Sequence, residues 1–152
     1  MDPTRPADPT GIRFRTDLDG VTPTQLQGFF DGWPNPPAPE THLRILRGST
    51  AVGLAVDAET GRVVGFVTAL SDGVLSAYLP LLEVLPAYRG RGIGSELVRR
   101  VLAVLGDLYM VDVTCDADVL PFYQALGLSP ATGASVRRYP RQSGAPGAAG
   151  VR

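Results

Sequence analysis

The chain has 152 residues, 44% of them hydrophobic and 19% charged, with a net charge of −1. That length supports one domain with a sizeable core, and the near-neutral balance gives no sign of a nucleic-acid or anionic-membrane partner. A single cysteine, Cys115, and a single histidine, His42, exclude an intramolecular disulfide framework and the usual zinc sites.

No apolar run is long enough to span a bilayer, and no signal peptide is visible. The expected location is therefore the cytoplasm, and no metal is expected. Met1–Thr10 is rich in Pro, Asp and Thr, and Gln142–Arg152 is mostly Gly, Ala, Pro and Ser. Such segments bury too little apolar surface to offset their ordering entropy. Residues 1–10 and 142–152 are expected to be disordered, leaving one domain over 11–141.

Ile12–Thr16 alternates and predicts a first strand. Thr22 and Pro23 read as N-cap and first helical position, opening a helix that carries Leu26, Phe29 and Phe30. Gly32–Pro37 must be a loop, because Pro34, Pro36 and Pro37 forbid helix and ladder alike. A second helix is predicted from Pro39 or Glu40 to Leu46, ended by Gly48. Ala51–Val56 and Val63–Ala69 read as strands of a hairpin around Asp57–Gly61. Ser71-Asp72-Gly73 is a further turn, leading into a strand over Leu75–Val84. Three consecutive antiparallel strands follow from this order. Pro80 lacks a donor and marks a local irregularity within its strand.

Ser95–Leu105 predicts an amphipathic helix, with Leu97, Val98, Val101, Leu102 and Leu105 on one face and Gly106 as its C-cap. Met110–Cys115 alternates like a strand. Val119, Phe122 and Leu126 form a helical stripe ended by Gly127, and Val136–Tyr139 reads as a last strand.

The most informative segment is Arg89-Gly90-Arg91-Gly92-Ile93-Gly94-Ser95, directly after the apolar strand. A strand, a glycine turn and a helix start aim several backbone N–H groups at one point, where the helix dipole adds partial positive charge. Two arginines reinforce a site for a phosphate or pyrophosphate. No lysine follows the glycines, which argues against a P-loop. Ser95 stands where a dinucleotide fingerprint needs its third glycine, and too little chain follows for a doubly wound fold.

What remains, Arg89-x-x-Gly92-x-Gly94, resembles the acyl-CoA pyrophosphate loop of the GNAT superfamily of N-acetyltransferases. Downstream, Asp116-Ala117-Asp118-Val119-Leu120-Pro121-Phe122-Tyr123-Gln124-Ala125-Leu126-Gly127-Leu128 is similar to the helix that follows the fifth strand in many members, although Asp116 stands where asparagine is frequent. The resemblance covers about residues 12–140.

It implies a mixed α/β GNAT fold: a mostly antiparallel twisted sheet of six to seven strands, flanked by about four helices and splayed between strands four and five. It implies acetyl-CoA as cosubstrate and a primary amine of a small molecule or peptide as acceptor, joined in a ternary complex. A non-catalytic acyl-CoA-binding module, acting as sensor or partner subunit, is the alternative. A homodimer is compatible with either.

Acyl transfer to an amine needs a held cofactor, a polarised carbonyl, a deprotonated amine and a proton for the leaving thiolate. By the resemblance, Arg89, Gly90, Arg91, Gly92, Ile93, Gly94 and Ser95 would cradle the pyrophosphate. Val84 would offer its backbone to the pantetheine arm, and Asp116 and Tyr123 would also face the cofactor. Tyr123 is the candidate general acid and Glu83 the candidate base. Trp33, Asp72 and Tyr78 are candidates for the acceptor side.

Overall fold

The computed structural model describes residues 8–146, so the expectations for residues 1–7 and 147–152 lie outside the described part. Within it, Asp8 is tied to the fold. Its Oδ1 accepts the amides of Thr10 at 2.9 Å and Ile12 at 3.1 Å. At the other end, Gln142 Oε1 accepts the Asn35 amide at 3.0 Å.

One five-stranded sheet carries the fold, with strands in sequence order: β1 (Ile12–Arg15), β2 (Ala51–Asp57), β3 (Val63–Ser71), β4 (Ser76–Val84) and β5 (Met110–Asp112). The first three pairings are antiparallel and β4·β5 is parallel. A parallel pair requires a crossover, here the helix α2 (Ile93–Leu105). The other helices are α1 (Pro39–Gly48) and α3 (Leu120–Ala125).

Three expectations need correction. The described residues hold five strands and three α-helices, against the six to seven strands and about four helices implied by the resemblance. The helix predicted from Thr22 is one 3-10 turn, Pro23–Leu26. The chain cannot continue helically, because Gly28 and Phe30 both take positive φ, +89° and +64°. The strand predicted over Val136–Tyr139 is absent: Val136 and Tyr139 are exposed, and the chain instead makes a 3-10 turn at Tyr139–Arg141.

The sheet's two faces are built differently. On one, Gly53 and Gly65 leave room for α2. A Cβ on Gly65 would stand 3.1 Å from Leu97 Cδ1 and 3.3 Å from Ile93 Cγ2. This close approach buries Ile93, Leu97, Val98 and Val101, each worth about 1.5–3 kcal/mol relative to exposure. On the other face, Phe66 of β3 meets the rings of Phe29 at 5.1 Å, Phe30 at 5.9 Å and His42 of α1 at 4.3 Å.

The register of β3 with β4 shifts between Thr68 and Leu70, which pair with Leu81 and Tyr78. The extra residue on β4 is a bulge that contains Pro80, as the missing donor requires.

Candidate active site

The glycine turn is set by the elements on either side. Leu85 is buried and its amide continues the ladder to Val64 O at 2.8 Å. A 3-10 turn over Pro86–Tyr88 then reverses the chain. Gly90 and Gly92 take φ of +77° and +78°, a region that side chains with a Cβ rarely occupy. Gly92 is the N-cap of α2, with no side-chain cap. The first intrahelical bond runs from the Glu96 amide to Gly92 O at 3.1 Å. The amides of Ile93, Gly94 and Ser95 therefore have no acceptor within the helix, and they point where the dipole is positive. A Cβ built on Gly90 or Gly92 meets nothing within 4 Å, so the approach to these amides is open.

Two arginines flank this cradle. The Arg91 guanidinium lies 5.1 Å from the Tyr88 ring centre. Tyr88 is held by its hydroxyl, which donates to Asp57 Oδ2 at 2.6 Å. Arg89 turns back to the sheet: its Nε donates to Val84 O at 2.9 Å, and its Nη2 lies 3.9 Å from Asp31 Oδ2.

The sheet opens beside the turn. Pairing of β4 with β5 ends at Tyr78–Asp112, while β4 runs on to Val84. A cavity of ≈ 680 Å³ lies against this opening, with Tyr78, Cys115 and Tyr123 in its lining. Phe122 of α3 fixes the helix here, because its ring sits 3.5 Å from where a Gly94 Cβ would be. Tyr123 packs edge-on against Phe122 at 4.9 Å. It is buried, and burial pushes its phenol above the ordinary tyrosine value, with Cys115 and Tyr78 adding to the rise.

A second cavity, of ≈ 180 Å³, is lined by Phe30, Asp31 and Trp33 of the preceding loop and by Leu81, Leu82 and Glu83 of β4. Glu83 holds that loop. Its Oε1 accepts the Phe30 amide at 2.7 Å and its Oε2 the Asp31 amide at 3.2 Å. These bonds sustain the left-handed φ of Phe30, a conformation worth of order 1–3 kcal/mol of strain in a residue with a Cβ. A carboxylate has about four lone-pair sites, so each oxygen of Glu83 retains capacity for a further donor. The Trp33 ring leans on Phe30 at 4.9 Å.

Behind this loop, His42 is 1% exposed, and neither ring nitrogen has a hydrogen-bond partner among the described residues. Burial pushes its pKa down to about 4. An unfolded chain protonates the imidazole near 6.5, so between these values the unfolded state binds more protons and stability falls as pH falls. Denaturant titrations are expected to show wild type losing up to the order of 3 kcal/mol relative to His42→Leu between pH 7 and pH 4. An equal pH dependence in both proteins would contradict this.

Tyr78 and Tyr123 thus share the larger cavity, Trp33, Glu83 and Arg89 line the smaller one, and Val84 with the Arg89–Ser95 turn lies at the end of β4. Asp72 lies elsewhere. Its Oδ1 accepts the amides of Val74, Leu75 and Ser76, and its Oδ2 the Ser76 hydroxyl. Those backbone bonds hold its carboxyl well below the usual range, so Asp72 shapes the β3–β4 turn. Asp116 is exposed, and its carbonyl accepts the Val119 amide at 2.9 Å ahead of α3. Asp31 enters the smaller cavity beside Glu83, while Asp72 and Asp116 do not. Its only local signal was an acidic residue inside the loop that also carries Trp33.

β4 thus bulges at Pro80 and leaves its parallel neighbour beside an uncapped, glycine-led helix start. The sequence matches the Acetyltransferase (GNAT) family over residues 18–128, and the chain belongs to that family. A Deinococcus radiodurans R1 protein presumed to be an acetyltransferase is 58% identical, with a TM-score of 0.87 over 90% of this chain and 95% of its own.

The GCN5-related N-acetyltransferase 3, chloroplastic, of Arabidopsis thaliana is 39% identical over 69 residues, 44% of this chain. The match spans only 29% of that protein's length. More distantly, the aminoglycoside N-acetyltransferase AAC(6')-Iy, solved in complex with CoA, is 18% identical and shares the fold at a TM-score of 0.59, over 84% of this chain and 93% of its own.

Among the described residues no group of three or more His, Cys, Asp or Glu side chains could hold a metal ion. No described helix is long and apolar enough to cross a membrane.

Proposed function

We propose that the chain transfers an acetyl group from acetyl-CoA to a primary amine of a small molecule or peptide, by direct attack in a ternary complex. The observation that carries this reading is the open cradle at Gly90–Ser95 beside the free end of β4. Its unbonded helix-start amides and the guanidinium of Arg91 fit a pyrophosphate. Arg89, at the first position of the turn, adds charge. Val84 stands where β4 no longer has β5 as a neighbour, so no strand competes there with an extended arm, although its carbonyl already accepts Arg89 Nε. AAC(6')-Iy, on the same fold, was solved in complex with CoA, which supports CoA as the donor's carrier.

Bound acetyl-CoA would supply the thioester and the leaving thiolate. The chain's own residues supply the rest. Tyr123 Oη, kept protonated by burial, gives a proton to the departing sulfur. Glu83, fixed by two backbone amides, takes the proton from the attacking ammonium, directly or through water. An alkylammonium has a pKa near ~10.4, so this proton must leave before attack. Tyr78 lines the larger cavity and Trp33 the smaller, and the protein is expected to act in the cytoplasm.

Calorimetric titration tests the donor site. S-acetylpantetheine lacks the pyrophosphate and is expected to bind at least about a hundredfold more weakly than acetyl-CoA, since each charge-assisted bond contributes about 1.5–3 kcal/mol. Equal affinities would contradict a pyrophosphate cradle.

A further inference from the structure

The smaller cavity combines aromatic rings with three charged side chains. Phe30, Trp33 and Phe66 line it together with Leu81 and Leu82, so it offers aromatic surface beside its polar groups. Its charged residues are Asp31, Glu83 and Arg89, linked by the Glu83 bond to the Asp31 amide and the Arg89–Asp31 approach.

The three charges are not equally available. Both oxygens of Glu83 already accept a backbone amide. Arg89 donates to Val84 O and reaches Asp31 only at 3.9 Å, with both side chains about half exposed. Such an exposed, long-range pair is weak and easily replaced. Asp31, whose carboxylate holds no backbone amide, is therefore the more available of the two carboxylates, and with Arg89 in place the three charges sum to −1. The volume, ≈ 180 Å³, equals that of about six waters at ~30 Å³ each. It admits a small ring or a branched alkyl group, and its single net negative charge matches one ammonium better than several.

From this juxtaposition we infer that the acceptor is a compact amine with one positive charge and a small apolar body, selected by Asp31 at its ammonium and by Trp33 and Phe30 along its body. This rests on the N-acetyltransferase reading above and narrows its acceptor. An ammonium beside Asp31 would also lie near the aromatic rings, where a cation is attracted to the ring face. Asp31 is a specificity-determining residue in this account. Because it is exposed and its own amide, not its side chain, anchors the loop to Glu83, Asp31→Asn leaves the loop's bonds in place.

Trp33 is the only tryptophan in the chain, so its fluorescence reports occupancy without turnover. The test titrates the full chain with benzylamine, benzyl alcohol and spermidine, in wild type and in Asp31→Asn. Benzylamine is expected to change Trp33 emission saturably, at least tenfold more tightly than benzyl alcohol or spermidine. Asp31→Asn is expected to weaken benzylamine about tenfold and to shift acetyl-CoA affinity less than twofold. Spermidine binding as tightly as benzylamine, an equal response to benzyl alcohol, or an unchanged benzylamine affinity in Asp31→Asn would overturn the inference.

Thiol release separates the two claims. Saturable benzylamine binding with no CoA released by any amine would sink the transferase reading and leave the cavity's selectivity standing. CoA release that favours spermidine, with no effect of Asp31→Asn, would do the reverse.

Discussion

Tyr123→Phe is expected to lower kcat by about 10²–10⁴-fold, the range for loss of a positioned general acid, with little change in the KM for acetyl-CoA. The substitution removes one oxygen and keeps the ring. Phe122 still has its edge-on neighbour, and the backbone carbonyl of residue 123 still accepts the amides of Leu126 and Leu128 at 3.0 and 3.1 Å. Stability is therefore nearly preserved, and the loss is one of chemistry. The pH profile carries a second signature. Burial raises the phenol's pKa, so wild-type kcat holds through the neutral range and declines only above the ordinary tyrosine value of ~10. In Tyr123→Phe that alkaline limb disappears. A kcat within threefold of wild type would remove Tyr123 from the reaction and reduce it to a packing residue.

The second large effect is on binding. Gly92→Val places a β-branched residue at φ +78°, which costs of order 1–3 kcal/mol in strain. It also sets a methyl-bearing carbon in the open space before the α2 amides. Acetyl-CoA affinity is expected to fall about tenfold or more, as for loss of one charge-assisted hydrogen bond. Gly94→Ala is the contrasting variant. Its Cβ would rest 3.5 Å from Phe122, an ordinary contact, and no positive φ is required there, so acetyl-CoA affinity is expected to stay within threefold. Calorimetry on both variants checks the pair. Equal losses would mean that bulk anywhere in the turn matters, and not the left-handed N-cap.

Much of this site was legible in the chain. Gly90, Gly92 and Gly94 are local conformational signals, and a turn needing positive φ next to a helix start has few other sequences. Pro80 was equally direct: without an N–H it had to fall at an irregularity, and it lies in the bulge that opens β4. The α2 stripe was read from its 3.6-residue spacing, although the helix starts two residues earlier, at Ile93.

What escaped was non-local. Thr22 and Pro23 announce a helix correctly, and a capping box with Gln25 is present, yet Phe30 is pulled into a left-handed conformation by Glu83, 53 residues away. No window of sequence contains both partners. Val136–Tyr139 alternates well enough for a strand, but alternation supplies only the face and not an edge to pair with. Asp72 looked chemically free because three backbone amides that occupy it come from its own turn, a local competition that acidic residues often win. Asp31 was hidden for the opposite reason: its significance depends on Phe66, Leu81 and Glu83, brought beneath it by the sheet.

The central claim is that this chain uses the Arg89–Ser95 cradle and the space around the end of β4 to move an acetyl group onto an amine. The most direct measurement incubates the protein with acetyl-CoA and a panel of primary amines that includes benzylamine, and quantifies free thiol and N-acetylated amine together. The account predicts one amide formed for each thiol released, both abolished to background in the absence of amine. Acetyl-CoA that binds while no amine yields product, or thiol released without an amide, would contradict it.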